Sequence, residues 1–231
     1  MADLLTYARS GPVATITMDD GKANVLSPAM LGELNRALDQ AVADNAIVLL
    51  TGREQRFSAG FDLNVFKQGG VAAEEMLLTG LALSERLLSF PTPVVAACTG
   101  HALAMGAFLL LSADIRIGVA GAFKIGANEV AIGMTMPHTA LEICRLRLPP
   151  THFTRAVMTA EIYTPEQAVA AGFLDHVVPA AELLARAQET SAALAKLDLG
   201  AHAATKLRAR AASLSAMRSA LELDRVSMRA R

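Results

Sequence analysis

Apolar and polar positions along the chain follow two rhythms. Short runs of β-type composition at residues 4–9, 13–18, 47–51, 94–98 and 114–119 predict strands. The first two are joined by Ser10-Gly11-Pro12, a hairpin-type turn. Residues 47–51 and 94–98 are continuously apolar, as strands covered on both faces are. Between these runs apolar residues recur at helical spacing. Ser27 and Pro28 supply an N-cap and a first-turn proline, and Met30, Leu31, Leu34, Leu38 and Val42 mark the apolar side of the helix that follows. Residues 72–88 predict a second helix, stopped by Phe90-Pro91-Thr92-Pro93, and residues 106–111 a third. Repetition of strand, turn and helix predicts an α/β fold with parallel strands.

After Glu129 the pattern becomes mainly helical, at residues 137–148, 151–160, 165–171 and 180–196, with one short strand at 174–178. Residues 200–231 continue as an Ala-rich, basic helical tail. No linker rich in Gly, Ser or Pro interrupts the chain. The expected organisation is therefore a core domain, 1–180, and a C-terminal helical oligomerisation region, 181–231, separated by a change of layer.

Composition narrows the class. At 231 residues the chain can bury a substantial core, and 53% hydrophobic with 19% charged residues excludes a disordered chain. A net charge of −1 offers no footprint for nucleic acid or an anionic membrane. Cys98 and Cys144 lack metal-type spacing, so buried free thiols in a reducing compartment are expected and no metal site. Residues 102–111, the longest apolar run, are too short to span a bilayer. No basic segment near Asp3 precedes an apolar stretch, so no signal peptide is visible and a cytoplasmic location is expected.

Two small-residue turns carry the candidate chemistry: Phe-Ser-Ala-Gly-Phe-Asp-Leu at 57–63 and Gly-His-Ala-Leu-Ala-Met-Gly at 100–106. Each follows a β-type run and precedes a helix. Turns of this kind can aim free backbone N–H groups at one point, as stabilising an oxyanion requires. Nucleophile-elbow, Walker A, zinc-type and dinucleotide fingerprints are absent from the sequence. With Asn128-Glu129-Val130-Ala131-Ile132-Gly133 downstream, the two turns resemble the crotonase family of enoyl-CoA hydratases and isomerases, over residues 4 to about 195.

The resemblance implies a crotonase-like spiral of strand–strand–helix units with a C-terminal helical region. It implies an acyl-CoA thioester substrate, with coenzyme A as part of that substrate and no permanently bound cofactor, and a homotrimer or hexamer. The implied oxyanion donors are the N–H groups of Phe61 and Met105. Most members of the family have glycine where this chain has Met105, so the backbone there must avoid positive φ. Lys22 and Ala23, with Ala59, Gly60, Asp62 and Leu63, match the family's CoA-facing loops. Lys22 either meets a phosphate or is a solvated loop lysine. Phe66, Leu77, Leu81, Met134 and Met136 are candidates for an acyl pocket or for plain core.

Hydratases of the family hold water between two glutamates. One of those positions is Phe108 here, which can neither accept a proton nor orient water. The other matches Glu129, in a stretch similar to mitochondrial-type Δ3,Δ2-enoyl-CoA isomerases, which work with one glutamate. One carboxylate can take a proton from C2 and return it to C4 of the same dienolate. Val130 and Ile132 are expected to surround Glu129 and raise its pKa. The plain alternative is a surface carboxylate near a short helix. His101 and His138 are weaker candidates; Asp62 is expected to order the first turn and Asp114 to close a helix–strand junction. The leading reading is an enoyl-CoA Δ3,Δ2-isomerase. A hydratase-like enzyme and a non-catalytic acyl-CoA-binding protein are the alternatives, the latter favoured by Met105 and Phe108.

Overall fold

The computed structural model describes residues 4–229. Asp3 and the last two residues of the predicted tail, 230 and 231, lie outside the described residues. In chain order the elements are β1 (Leu5–Ser10), β2 (Val13–Met18), β3 (Val25–Leu26), α1 (Pro28–Ala43), β4 (Ile47–Gly52), β5 (Gln55–Ser58), β6 (Gly60–Phe61), α2 (Leu63–Gln68), α3 (Gly70–Leu88), β7 (Val94–Cys98), β8 (Gly100–Leu103), α4 (Met105–Ser112), β9 (Ile115–Val119) and β10 (Ile125–Gly126). There follow α5 (His138–Arg147), α6 (Pro150–Met158), α7 (Pro165–Ala171), β11 (His176–Val178), α8 (Leu183–Leu194), α9 (Leu199–Ala209) and α10 (Ala211–Arg229).

The main sheet runs β1-β2-β4-β7-β9-β11. Only the hairpin β1–β2 is antiparallel in it, with Ser10 facing Val13 across Gly11-Pro12. β4 and β7 are buried along their whole length because both faces are covered. The pleat sorts their side chains by alternation. Val48, Leu50, Val94 and Ala96 enter the larger core with α1, α3, α4 and α5. Ile47, Leu49, Val95 and Ala97 face the other way, against Leu183 and Ala187 of α8.

Local signals explain the helix starts. Ser27 Oγ accepts the Met30 N–H at 3.2 Å, and Pro28 occupies the first position of α1. Val42, expected on its buried face, is exposed; Ala37 and Ala41 complete that face instead. α7 begins with a capping box between Thr164 and Gln167. The segment expected as one helix at 180–196 is a 3-10 turn, Ala180–Glu182, followed by α8, and the tail divides into α9 and α10. The Glu182 N–H closes the 3-10 turn on Pro179 O at 2.9 Å, and Arg210, at φ −103° and ψ 5°, leaves the α-helical region between α9 and α10.

The two motifs read as turns contain strands. β5 and β10 flank β8 in a parallel three-stranded sheet, and β3 pairs with β6. Strands of two to four residues are too short to show alternation, and their partners are distant in sequence, so no local pattern marks them. α4, beginning at Met105, is buried on every side. Asp114 joins α4 to the sheet by accepting the Val94 N–H at 2.8 Å, and it pairs with Lys206 at 2.6 Å and Arg210 at 2.9 Å, tying α9 to the core. α10 packs on α5 and α3. Cys98 and Cys144 are free and buried. Among the described residues no helix is long and apolar enough to cross a membrane.

Candidate active site

The three-stranded sheet decides where the chemistry lies. β5, β8 and β10 are parallel, so their carboxyl ends share one edge, and ligands of α/β sheets bind beyond such ends. Phe61 follows the end of β5 by three residues, Met105 follows β8 by two, and Glu129 follows β10 by three. At roughly 3.6 Å per residue at most, each Cα lies within about 11 Å of its strand end. Residues far apart in sequence thus leave neighbouring strands on the same side.

The first two of these segments touch. Gly60 has φ +90°, and a Cβ there would sit 2.8 Å from Ala104 Cβ and 3.2 Å from Met105 N. A Cβ on Gly106 would lie 2.4 Å from Ser58 O. Both glycines are required by this close approach. The positive φ feared for Met105 falls on Ala104 instead, at φ +50° and ψ −126°. Met105 is the first helical residue of α4, so its N–H has no acceptor within the helix. Its side chain is fully buried in the core. The Phe61 ring stacks edge-on against Phe66, with centroids 5.6 Å apart.

A buried amide locks the first segment. Asn24 donates from Nδ2 to the carbonyls of Met18 at 2.9 Å, Arg56 at 3.1 Å and Phe57 at 3.3 Å. Ser58 Oγ donates to Asn24 O at 2.7 Å and accepts the Gly60 N–H at 3.1 Å. The Ala59 N–H donates to Ala23 O at 3.0 Å, which sets Lys22 and Ala23 beside the motif. Asp20 accepts from the N–H groups of Lys22, Asn24 and Val25. Burial pushes the Asp20 carboxyl up, but these bonds outweigh it and hold the group below its ordinary range. The Lys22 side chain is exposed, and its carbonyl accepts from Arg53 at 2.8 Å. Asp62 caps α2 through the Asn64 N–H at 2.9 Å, and Leu63 stands exposed at the start of that helix. In the sequence Asn24 ends the polar loop 19–24, where it follows Lys22 and Ala23 in the match to the family's CoA-facing loops, and carries no structural role of its own. Its sole local cue is that Asn is among the few residues that tolerate its positive φ of 52°.

Glu129 is only 5% exposed. It precedes a 3-10 turn, Val130–Ile132, but does not cap it, and its Oε2 has no hydrogen-bond partner. Burial pushes its carboxyl up to about 7, opposed only by its own N–H. The expectation that Val130 and Ile132 wrap it is corrected: each is 46% exposed, because the 3-10 turn throws both outward. Apolar surroundings come from the core behind it. The Cys144 thiol there is pushed up by burial and then further by the Glu129 charge. Phe108 is 1% exposed within α4. His101 accepts the Lys124 N–H at 3.0 Å and rests edge-on against Phe123, which occupies it structurally.

Beside this edge opens a cleft of about 820 Å³. Leu63, Phe66, Leu77, Met134, Met136 and His138 are among its walls. Leu81, grouped with them in the sequence, is instead fully buried in the core. The Met134 N–H donates to Glu129 O at 2.9 Å, connecting the cleft to the acidic residue.

Close-packed main-chain segments, a buried carboxylate and an apolar cleft on this spiral α/β scaffold define the crotonase class of folds. The enoyl-CoA hydratase/isomerase family model matches residues 8–229, and the chain belongs to that family of enzymes. It is similar to an enoyl-CoA hydratase/isomerase family protein from Pseudomonas syringae, at 48% identity and a TM-score of 0.96, over 97% of this chain and 98% of that one. A Mycobacterium tuberculosis protein is similar in two structures. Under an enoyl-CoA isomerase name it has 47% identity and a TM-score of 0.93, covering 97% of this chain and 98% of that one. Under an enoyl-CoA hydratase name the values are 48% and 0.92, covering 95% and 94%. A curated relative from Thermus thermophilus with a provisional enoyl-CoA hydratase name is 31% identical over 199 residues, 83% of this chain and 78% of its own length.

Proposed function

We propose that the chain is an enoyl-CoA Δ3,Δ2-isomerase with Glu129 as its one acid/base. The Glu129 carboxylate takes a proton from C2 of a 3-enoyl thioester. The electron pair left at C2 delocalises into the thioester carbonyl, where the Phe61 and Met105 N–H groups receive the charge on oxygen, and through the C3=C4 double bond onto C4. The protonated Glu129 then returns the same proton to C4, leaving the 2-enoyl product. The α4 N-terminus adds a favourable dipole at the oxygen. The CoA portion lies along Lys22, Ala23 and residues 59–63, and the acyl chain in the cleft.

The observation that carries this reading is the contrast between Glu129 and Phe108. The first is a buried carboxylate with an unpartnered oxygen; the second is a buried phenyl ring where water addition would need another carboxylate. Hydratase names among the relatives favour the second reading, water addition to a 2-enoyl thioester. One pair of assays separates the two. Glu129→Gln should lower isomerisation of a 3-enoyl-CoA by about a hundred- to ten-thousandfold while CoA-ester binding persists. Wild-type activity, kcat/KM, should rise with pH through about 7 as Glu129 ionises. Rapid formation of 3-hydroxyacyl-CoA from a 2-enoyl-CoA would overturn the single-carboxylate mechanism.

A further inference from the structure

Two carboxylates, Glu74 and Asp224, are among the walls of the cleft, and the proposed mechanism uses neither. Asp224 of α10 is 3% exposed. Its Oδ1 accepts the His138 N–H at 2.7 Å and its Oδ2 the Thr139 N–H at 2.9 Å. These are the first two residues of α5, whose N-cap is Pro137 and makes no side-chain cap bond. Asp224 supplies that missing cap from another helix, 86 residues further along the chain.

The bond joins two walls of the cleft. Met136, Pro137 and His138 line it from the α5 side. Asp224, Ser227 and Met228 line it from α10, at i, i+3 and i+4 on one helix face. On the α5 side these two hydrogen bonds add direction to apolar packing, which has none; α10 is otherwise tied to α3 by the exposed Arg218–Glu85 pair at 2.8 Å, ten residues before the end of α10 that lines the cleft.

We propose that Asp224 is a positioning residue for the acyl chain. It pins α10 across the cleft so that Ser227 and Met228 form a fixed wall, and that wall packs against the part of a long chain that a short one does not reach. The proposal rests on the reading of the cleft as the acyl pocket. It separates Asp224 from Glu129: one carboxylate is satisfied by main-chain donors and holds shape, the other is unpartnered and moves a proton.

Binding of saturated acyl-CoA esters to the intact chain tests this without turnover. Asp224→Ala should weaken dodecanoyl-CoA by about tenfold and butanoyl-CoA by less than about twofold. Met228→Ala should show the same length dependence. The double variant should bind dodecanoyl-CoA no worse than the weaker single variant, because both changes remove one wall. In kinetics, KM for a long 3-enoyl-CoA should rise with kcat within about twofold. Asp224→Asn keeps one acceptor for one N–H and should fall between wild type and Asp224→Ala; with Met228→Ala it decides the matter if Asp224→Ala does not fold. A merely stabilising role predicts a lower melting temperature with the chain-length profile unchanged, and that result overturns the proposal. Equal losses for both esters, or additive effects in the double variant, overturn it as well. If the wild type binds neither ester, the reading of the cleft falls too, which is a separable outcome.

Discussion

Glu129 is held where the fold gains nothing from its charge. Its carboxyl is pushed from an ordinary 4.5 to about 7, chiefly by burial. Between these values the folded chain binds a proton that the unfolded chain releases. Stability therefore falls as pH climbs from about 4.5 to about 7, and the loss is complete above that. The difference between the two values corresponds to on the order of 3 kcal/mol. Glu129→Gln keeps the shape and removes the charge. It should be more stable than the wild type by on the order of 1–3 kcal/mol at about pH 8, and nearly equal at about pH 4. Urea unfolding at the two pH values checks this; a less stable variant at the higher pH would mean that the carboxylate has a partner when ionised. The same residue is where catalytic need and folding stability are expected to oppose one another.

At the scale of elements, the contact between the β5–β6 segment and the start of α4 is the feature on which the proposed donors depend. Gly60→Ala would drive a Cβ into Ala104 at a backbone position with φ +90°. It should destabilise the fold by about 2 kcal/mol or more and lower kcat by about ten- to a hundredfold, since small displacements of a donor are costly. A crystal structure of the variant with the two segments still in contact, and unchanged kcat, would show that the spacing is unimportant. Much of this element-level arrangement was legible beforehand. The long helices α1 and α3 announce themselves by apolar spacing and by Ser27, Pro28 and Pro91. β4 and β7 announce themselves as unbroken apolar runs. β3, β6 and β10 were not legible, because two residues cannot display a period. Asn24 was illegible as a staple because its bonds reach carbonyls as far off as Phe57. Val130 and Ile132 misled for the opposite reason: apolar side chains beside a functional residue look like its walls, whereas the backbone turn sends them outward.

For the whole molecule, the question is how the C-terminal helices stay on the core. Asp114 sits between Lys206 and Arg210, and Lys206 also donates to the carbonyls of Phe90 at 3.0 Å and Thr92 at 3.2 Å. The Lys206 side chain is almost entirely buried. Asp114→Ala would leave two cations without their carboxylate and should cost about 3–5 kcal/mol, measured by chemical unfolding. A loss below about 1 kcal/mol would mean that solvent reaches both cations freely. The sequence placed Asp114 at a junction between α4 and β9, which it does close. Its bonds to α9, more than ninety residues on, had no local signature. Long-range ion pairs of this kind become visible only when the fold is known, since Lys206 reads in the sequence as one more basic residue of the tail.

Phe61 and Met105 would serve the reaction with an atom pair that nearly every residue type possesses. A survey by alanine replacement would register both as ordinary hydrophobic contacts, because it trims what fills space and spares what binds charge. Only a depsipeptide bond, oxygen in place of the amide nitrogen, would separate the two contributions. On the proposed reading, sequence drift at such positions is free to run wherever volume permits.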